Sequence, residues 1–371
     1  MLVNVTVSNN VADYGAGMVV SQGSSLSCTA CVIANNAATQ FGGGAVTGGG
    51  VTGAVAFRNS VFANNTAAVQ GGGIYVAAVS TTTFTNVSFT NNSAPNGGGL
   101  FIDSSAVTMA GGSSVTGNRA GALGGGLWCK SSSLALAPGT AVASNAAAAA
   151  GGGLYVEAQC NVTGSGVTIT GGTALNGGAQ HTSLAAPFLL SVRAPDTHHP
   201  CFAAGVYMVS GSSVNLTLSS ISNNAAGILA SGTGGSSTCG ASAASSASSG
   251  GGVYMAAPGA SSTGPGPALA LTACTVTNNT AAGDGGGITV LAGRAVLTAG
   301  SVANNKAGGD GGGVAVKVRA PAGWGCRLLC AFPLTLASPR ALHRARARPS
   351  WRPWPSCPTP LAATAAASPS A

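Results

Sequence analysis

Phe62-Ala63-Asn64-Asn65-Thr66-Ala67-Ala68-Val69-Gln70-Gly71-Gly72-Gly73-Ile74-Tyr75-Val76 is answered, starting 27 residues later, by Phe89-Thr90-Asn91-Asn92-Ser93-Ala94-Pro95-Asn96-Gly97-Gly98-Gly99-Leu100-Phe101-Ile102. The same register runs outward from this pair in both directions. An Asn stands at Asn10, Asn36, Asn65, Asn92, Asn118, Asn145, Asn224, Asn279 and Asn305, with Gly172 in the equivalent place. The simple intervals are 26, 29, 27, 26, 27, 27 and 26 residues, and two long gaps of 52 and 55 hold extra sequence. Three residues before each mark is an apolar residue: Val7, Ile33, Phe62, Phe89, Val115, Val142, Ile169, Ile221, Val276 and Val302. The unit is therefore apolar-x-x-Asn, a short turn, then Gly-Gly-Gly-(Ile/Leu/Val).

Such a unit is too short for a strand-helix-strand crossover. Its apolar residues show no 3.6-residue period, and Val, Thr and Ser dominate its extended segments. It fits a coil of two or three short strands joined by tight turns. Stacked coils would pair each strand with its equivalent in the next, building parallel sheets around a solenoid. Parallel crossovers are overwhelmingly right-handed. Asn and Gly suit the corners because both tolerate left-handed backbone angles, and stacked Asn side chains can pass hydrogen bonds from coil to coil. The expected fold is all-β: a right-handed parallel β-helix of about ten coils, 26–27 residues each, roughly 48 Å long at one strand spacing per coil.

Composition agrees. Of 371 residues only 5% are charged and 59 are Gly, which excludes a coiled coil or an ordinary helical bundle. With 45% hydrophobic residues there is ample apolar surface to bury, so the chain does not read as disordered. No apolar run approaches the roughly 20 residues of a membrane-spanning helix. The net charge of +8 is confined to one end. Residues 1–316 carry six basic and six acidic side chains, whereas 317–371 carry eight basic ones and no acid. The body is neutral, and nucleic acid is not an expected partner.

Phe62-Ala63-Asn64-Asn65 and Phe89-Thr90-Asn91-Asn92 match F-x-x-N, and Gly72-Gly73-Ile74 and Gly98-Gly99-Leu100 look like G-G-A-(I/L/V) with Gly in place of Ala. The pair resembles the repeats of chlamydial polymorphic outer membrane proteins, within the broader pectin-lyase-like β-helix class. The resemblance covers about residues 1–316 and is specific for fold. It implies a surface-exposed adhesion passenger carried by a signal peptide and a C-terminal membrane barrel. Neither is legible here, so autotransport is not expected.

The organisation read from the repeat is a β-helix over 1–316, with inserts at 181–204, 229–250 and 258–267, and a basic Pro/Arg-rich tail at 317–371. The first two inserts both precede a Gly-aliphatic strand and should leave from the same turn. The tail reads equally as a disordered appendage or as translated non-coding sequence. Met1 begins inside a coil with no n-region or apolar h-region, so no signal peptide is read and an incomplete N-terminus is expected.

After each Gly run the odd positions are aliphatic, as in Ile74 and Val76 or Leu154 and Val156, and alternation turns them inward. The residues between them then face outward: Tyr75, Phe101, Trp128, Tyr155, Tyr207 and Tyr254. These are expected to form an exposed aromatic stripe about 24 Å long, read as a platform for sugar rings, as a ladder that stabilises the sheet, or as a column buried under the 181–204 and 229–250 inserts. Asp103, Lys130 and Glu157 form an alternating charge column beside it.

Chemistry-bearing residues are few. Asp284 and Asp310 share a repeat position and should stack about 5 Å apart. At that separation carboxylates can share a proton, hold Ca²⁺ or act as a glycosidase pair; the bland reading is a polar turn residue before Gly. His181, Asp196, His198 and His199 lack metal-ligand spacing, and no metal or other cofactor is expected. The ten Cys do not suggest a disulfide framework. Cys129 reads as a free core thiol, Cys31 and Cys274 as members of one small-residue strand column, and Cys28-x-x-Cys31 as non-redox. Seven N-x-(S/T) sequons, at Asn4, Asn64, Asn86, Asn91, Asn161, Asn215 and Asn278, permit an extracellular glycoprotein.

The functional expectation is a monomeric extracellular or cell-surface β-helix that binds polysaccharide or another surface through its aromatic column, without catalysis. One alternative is a pectin-lyase-like lyase or hydrolase using Asp284 and Asp310. The other is a purely structural solenoid.

Overall fold

A computed structural model describes residues 1–174 except 22, 50, 52, 80 and 158; 204–227 except 210; 249–256; 266–316; and the backbone of strands Cys326–Ala331 and Thr335–Leu336. The chain winds as a right-handed parallel β-solenoid. Four parallel sheets, here A to D in the order the chain meets them, contain 11, 11, 10 and 10 strands. One coil shows the plan: Val55–Arg58 in sheet A, Val61–Ala63 in B, Thr66–Ala67 in C and Ile74–Ala77 in D. Four strands per coil correct the expected two or three. The sheet C strands are often only two residues long, as at Thr66–Ala67 and Ala146–Ala147, too short for an alternating pattern to register in sequence.

Coils stack in the register that the repeat prescribes. Phe57 pairs with Phe84 in sheet A, Phe62 with Phe89 in B, and Tyr75 with Phe101 in D. The four phenylalanines are completely buried and pack as two stacked pairs, Phe57–Phe84 at 5.7 Å and Phe62–Phe89 at 4.8 Å between centroids. Edge contacts at 5.1 and 5.0 Å join the pairs across the lumen. Burying each such ring is worth about 2–3 kcal/mol relative to exposure. Columns of Ile, Leu, Val and Met fill the remaining interior.

The corner between sheets B and C divides two tasks between adjacent asparagines. The first, Asn64 or Asn91, adopts the left-handed conformation that makes the turn, with φ of 54° and 55°. The second builds an internal ladder. Asn65 Nδ2 donates to Asn92 Oδ1 (3.0 Å) and to the Ile33 carbonyl (2.9 Å), while the Asn65 backbone N–H donates to the same Asn92 oxygen (2.9 Å). Equivalent links connect Asn10, Asn36, Asn65, Asn92, Asn118 and Asn145, and again Asn224, Asn279 and Asn305. Side-chain amides thus satisfy corner backbone groups that burial would otherwise strand. At Gly172 the side-chain link is missing, but its backbone N–H still donates to Asn224 Oδ1 at 2.9 Å.

The next corner explains the departure from G-G-A. Gly71 has a φ of +67° and leads into the sheet D strand. A Cβ on Gly73 would lie 2.6 Å from the Gly99 carbonyl oxygen and 3.1 Å from Asn92 Nδ2. The stacked backbone and the Asn ladder leave no room for the alanine methyl of the related pattern.

The long gaps leave and rejoin the helix at matching places. One separates Thr173–Ala174 of sheet C from Val206–Met208 of sheet D; the other separates Ala225–Ala226 of C from Val253–Met255 of D. Most of the inserts read at 181–204, 229–250 and 258–267 lies outside the described residues. Beyond 316, strands Cys326–Ala331 and Thr335–Leu336 pair with the last described coil in sheets A and B. Among the described residues there is no helix, hence none long and apolar enough to cross a membrane.

Candidate functional site

The outer face of sheet D concentrates the unusual side chains. Ile74 and Val76, Leu100 and Ile102, Leu127 and Cys129, and Leu154 and Val156 point into the lumen and are fully buried. Tyr75, Phe101, Trp128, Tyr155, Tyr207 and Tyr254 stand between the inward positions on the opposite face, in consecutive register. Their ring centroids are 5.3, 5.0, 4.9, 5.1 and 5.4 Å apart. Tyr75–Phe101, Tyr155–Tyr207 and Tyr207–Tyr254 are stacked within 15° of parallel.

The ladder is longer than the repeat column alone indicated. Phe41 lies 5.0 Å from Tyr75, and Tyr14 lies 5.8 Å from Phe41. Neither occupies the sheet D position, which those coils fill with Val46 and Val19. Both end sheet C strands, immediately before the Gly turn. An aromatic directly preceding a turn glycine, Tyr14 before Gly15 and Phe41 before Gly42, is the sequence signal for these two members. Ladder pairs of this kind contribute about 0.5–1.5 kcal/mol each beyond the area they bury.

An openly exposed stripe is not what forms. Phe101 and Tyr254 are each only 2% exposed, and Tyr75, Trp128, Tyr155 and Tyr207 are partly buried. Where the rings stack they cover one another's faces, and Trp128 is turned 51° and 60° from its two neighbours. Sugar rings lying flat on these aromatics, as the column first suggested, would have to displace that stacking. Burial pushes the Tyr75, Tyr155 and Tyr207 hydroxyls above their ordinary pKa; Asp103 adds to the shift at Tyr75, and Tyr207 and Glu157 add to it at Tyr155. These phenols therefore remain neutral hydrogen-bonding groups across the physiological range.

The charged column is tied to the ladder. Asp103 and Lys130 sit in register, and Asp103 accepts a hydrogen bond from Ser104 Oγ at 2.9 Å. Glu157 accepts one from the Trp128 indole Nε1 at 2.8 Å, which fixes the orientation of that ring.

Asp284 and Asp310 do occupy equivalent corners, in contrasting environments. Asp284 is 4% exposed, whereas Asp310 is exposed. The Asp310 backbone N–H donates to Asp284 Oδ1 at 2.7 Å, and the Gly285 N–H donates to the Asp310 carbonyl at 2.9 Å. The Asp284 carboxylate thereby caps the following coil. Among the described residues no group of three His, Cys, Asp or Glu side chains is placed to hold a metal. His181, Asp196, His198 and His199 lie outside the described residues.

The right-handed beta helix region family model matches residues 1–187, half of the chain. This chain belongs to the right-handed beta helix family. Comparison with curated proteins and with solved structures returned no match.

Two disulfides overturn the reading of the cysteines. In this right-handed beta helix Cys129, expected to be a free core thiol, is bonded to Cys160, with Cα atoms 5.9 Å apart. The bond joins the sheet D strand Leu127–Lys130 of one coil to the turn that precedes the sheet A strand Asn161–Ser165, one coil further on than the sheet A strand that directly follows Cys129. Its partners stand in different repeat columns, so no repeat interval relates them. Cys28 and Cys31 are also bonded, with Cα atoms 6.0 Å apart, across the corner between sheets A and B. Cys31 and Cys274 stand in that corner rather than on a strand. Cys274 is a buried free thiol whose pKa is raised by burial.

Proposed function

We propose that this right-handed beta helix works outside the cell or on its surface, and that it contacts a polysaccharide or another surface through the outer face of sheet D without catalysis. The observation that carries the reading is the continuous ladder from Tyr14 to Tyr254 on one face of an otherwise neutral rod. Aromatic rings with neutral phenols, flanked by Asp103, Lys130 and Glu157, present apolar and hydrogen-bonding groups at one strand spacing. A linear polymer running along the axis would meet the partly exposed residues Tyr75, Trp128 and Tyr155, the Tyr75 hydroxyl being the less buried of the two phenols. The two disulfides support an oxidising compartment, since such bonds are rare in reduced cytosol.

The engagement of Asp284 with the Asp310 backbone favours a capping role over the lyase or hydrolase alternative. The test is binding of the full chain to a panel of plant, algal and bacterial polysaccharides. Beside it would be run a variant with Tyr75→Phe and Tyr155→Phe, which keeps the stack and removes two hydroxyls. Binding by the parent that falls at least tenfold in the variant supports contact through these hydroxyls. No binding by the parent across the panel leaves the ladder as sheet packing, and new reducing ends or unsaturated products would establish the enzyme instead.

A further inference from the structure

All seven sequon asparagines are solvent-exposed. Five of them, Asn4, Asn64, Asn86, Asn91 and Asn278, sit in left-handed corner turns with φ between 53° and 56°. Asn161 and Asn215 point outward from sheet A strands. By contrast, each Asn of the buried ladder is followed two residues later by Ala, as in Asn65-Thr66-Ala67 and Asn92-Ser93-Ala94. That position faces inward and admits only a small apolar side chain, so the ladder asparagines never form sequons. Every acceptor sequence thus falls on an exposed asparagine, although exposed corner residues such as Asn35, Asn59, Asn223 and Asn304 carry none.

The sequons are also unevenly placed. Asn4 and Asn86 lie at the corner between sheets A and B; Asn64, Asn91 and Asn278 lie at the corner between B and C. None lies on sheet D or at its two corners. We infer that these exposed asparagines are N-glycan acceptors, and that the glycans clothe sheets A and B while leaving the aromatic face of sheet D bare. In the modification the side-chain amide nitrogen bonds to the anomeric carbon of an oligosaccharide carried on a lipid diphosphate. The carbon–oxygen bond to the diphosphate breaks, the lipid diphosphate leaves, and the amide loses one proton. The two hydrogens on each acceptor nitrogen permit this: Asn86 Nδ2 keeps one for its bond to Asn59 Oδ1 at 2.9 Å.

This inference rests on the extracellular reading, and one experiment separates their failures. The full chain is directed into the secretory pathway of a eukaryotic cell by a cleavable leader and recovered from the medium or from lysate. Alkylation before reduction counts free thiols at Cys28, Cys31, Cys129 and Cys160. Peptide-N-glycosidase treatment, which hydrolyses the side-chain amide, and peptide mapping locate glycans, each occupied Asn reading as Asp after release. The expected result is protected cysteines with glycans at several of the seven sites, and loss of two mass steps in a Thr66→Ala, Ser93→Ala variant if Asn64 and Asn91 are both occupied. Protected cysteines with no mass shift overturn the glycan inference and leave the extracellular reading standing. Reactive thiols in unglycosylated chain retained in the cell overturn both.

Discussion

The indole of Trp128 donates to the Glu157 carboxylate across one coil boundary, at 2.8 Å from Nε1 to Oε2. It is the point where the aromatic ladder and the charged column meet. Because the bond is part-buried and charge-assisted, Glu157→Ala should lower unfolding free energy by about 1–2 kcal/mol. Glu157→Gln, which retains an acceptor oxygen, should lose less than half as much. Chemical denaturation followed by circular dichroism would read the difference, and equal losses would show that the bond contributes nothing to stability.

Adjacent asparagines should respond very unequally to substitution. Asn92→Ala removes the acceptor used by the Asn65 backbone and side chain and the donor that satisfies the Phe62 carbonyl. Buried groups left without partners cost about 1–3 kcal/mol each, so a loss of 3 kcal/mol or more is expected. Asn91→Gly, at an exposed position with φ of 55°, should stay within about 1 kcal/mol of the parent. Thermal unfolding of the two variants side by side gives the comparison.

Reduction should weaken the rod mainly through Cys129–Cys160. With 31 residues of separation, loop-closure entropy assigns that bond about 3–4 kcal/mol, against about 1–2 for Cys28–Cys31 with its separation of 3. A Cys129→Ser, Cys160→Ser chain should therefore melt at a visibly lower temperature than a Cys28→Ser, Cys31→Ser chain. The reverse order would mean that native packing, rather than the closed loop, determines the effect.

Alkaline pH should destabilise the fold through the ladder phenols. The hydroxyls of Tyr75, Tyr155 and Tyr207 are raised in the folded chain. Below the unfolded phenol value of about 10 both states hold these protons. Above it the unfolded chain releases them first, and stability falls as pH rises toward the folded values. Melting temperatures between pH 8 and 11 should decline more steeply in the parent than in a Tyr75→Phe, Tyr155→Phe, Tyr207→Phe variant.

The repeat was legible because every coil solves the same packing problem. Phe62 and Phe89 are three residues before their Asn because that spacing aligns lumen positions with the ladder in every coil. The inward column of Ile74, Leu100, Leu127 and Leu154 followed from strand alternation alone. What escaped were contacts between columns. Phe41 reaches Tyr75 from the end of another sheet's strand, and Cys129 reaches Cys160 across a turn; neither relation has a period. The burial of Phe101 escaped for a related reason, since alternation assigns a side to each residue but does not register that neighbours at strand spacing cover it.

Gly172 and Asn224 remain hydrogen-bonded partners although 52 residues separate them. The rod therefore counts turns and is indifferent to the chain consumed between them. Such a scaffold can acquire passenger sequence at the corner from sheet C to sheet D without renumbering a single contact on either side. Variation in length is thereby channelled to the corners on either side of the aromatic face, the two long gaps between sheets C and D and the 258–267 stretch between D and A, while the cross-section stays the same.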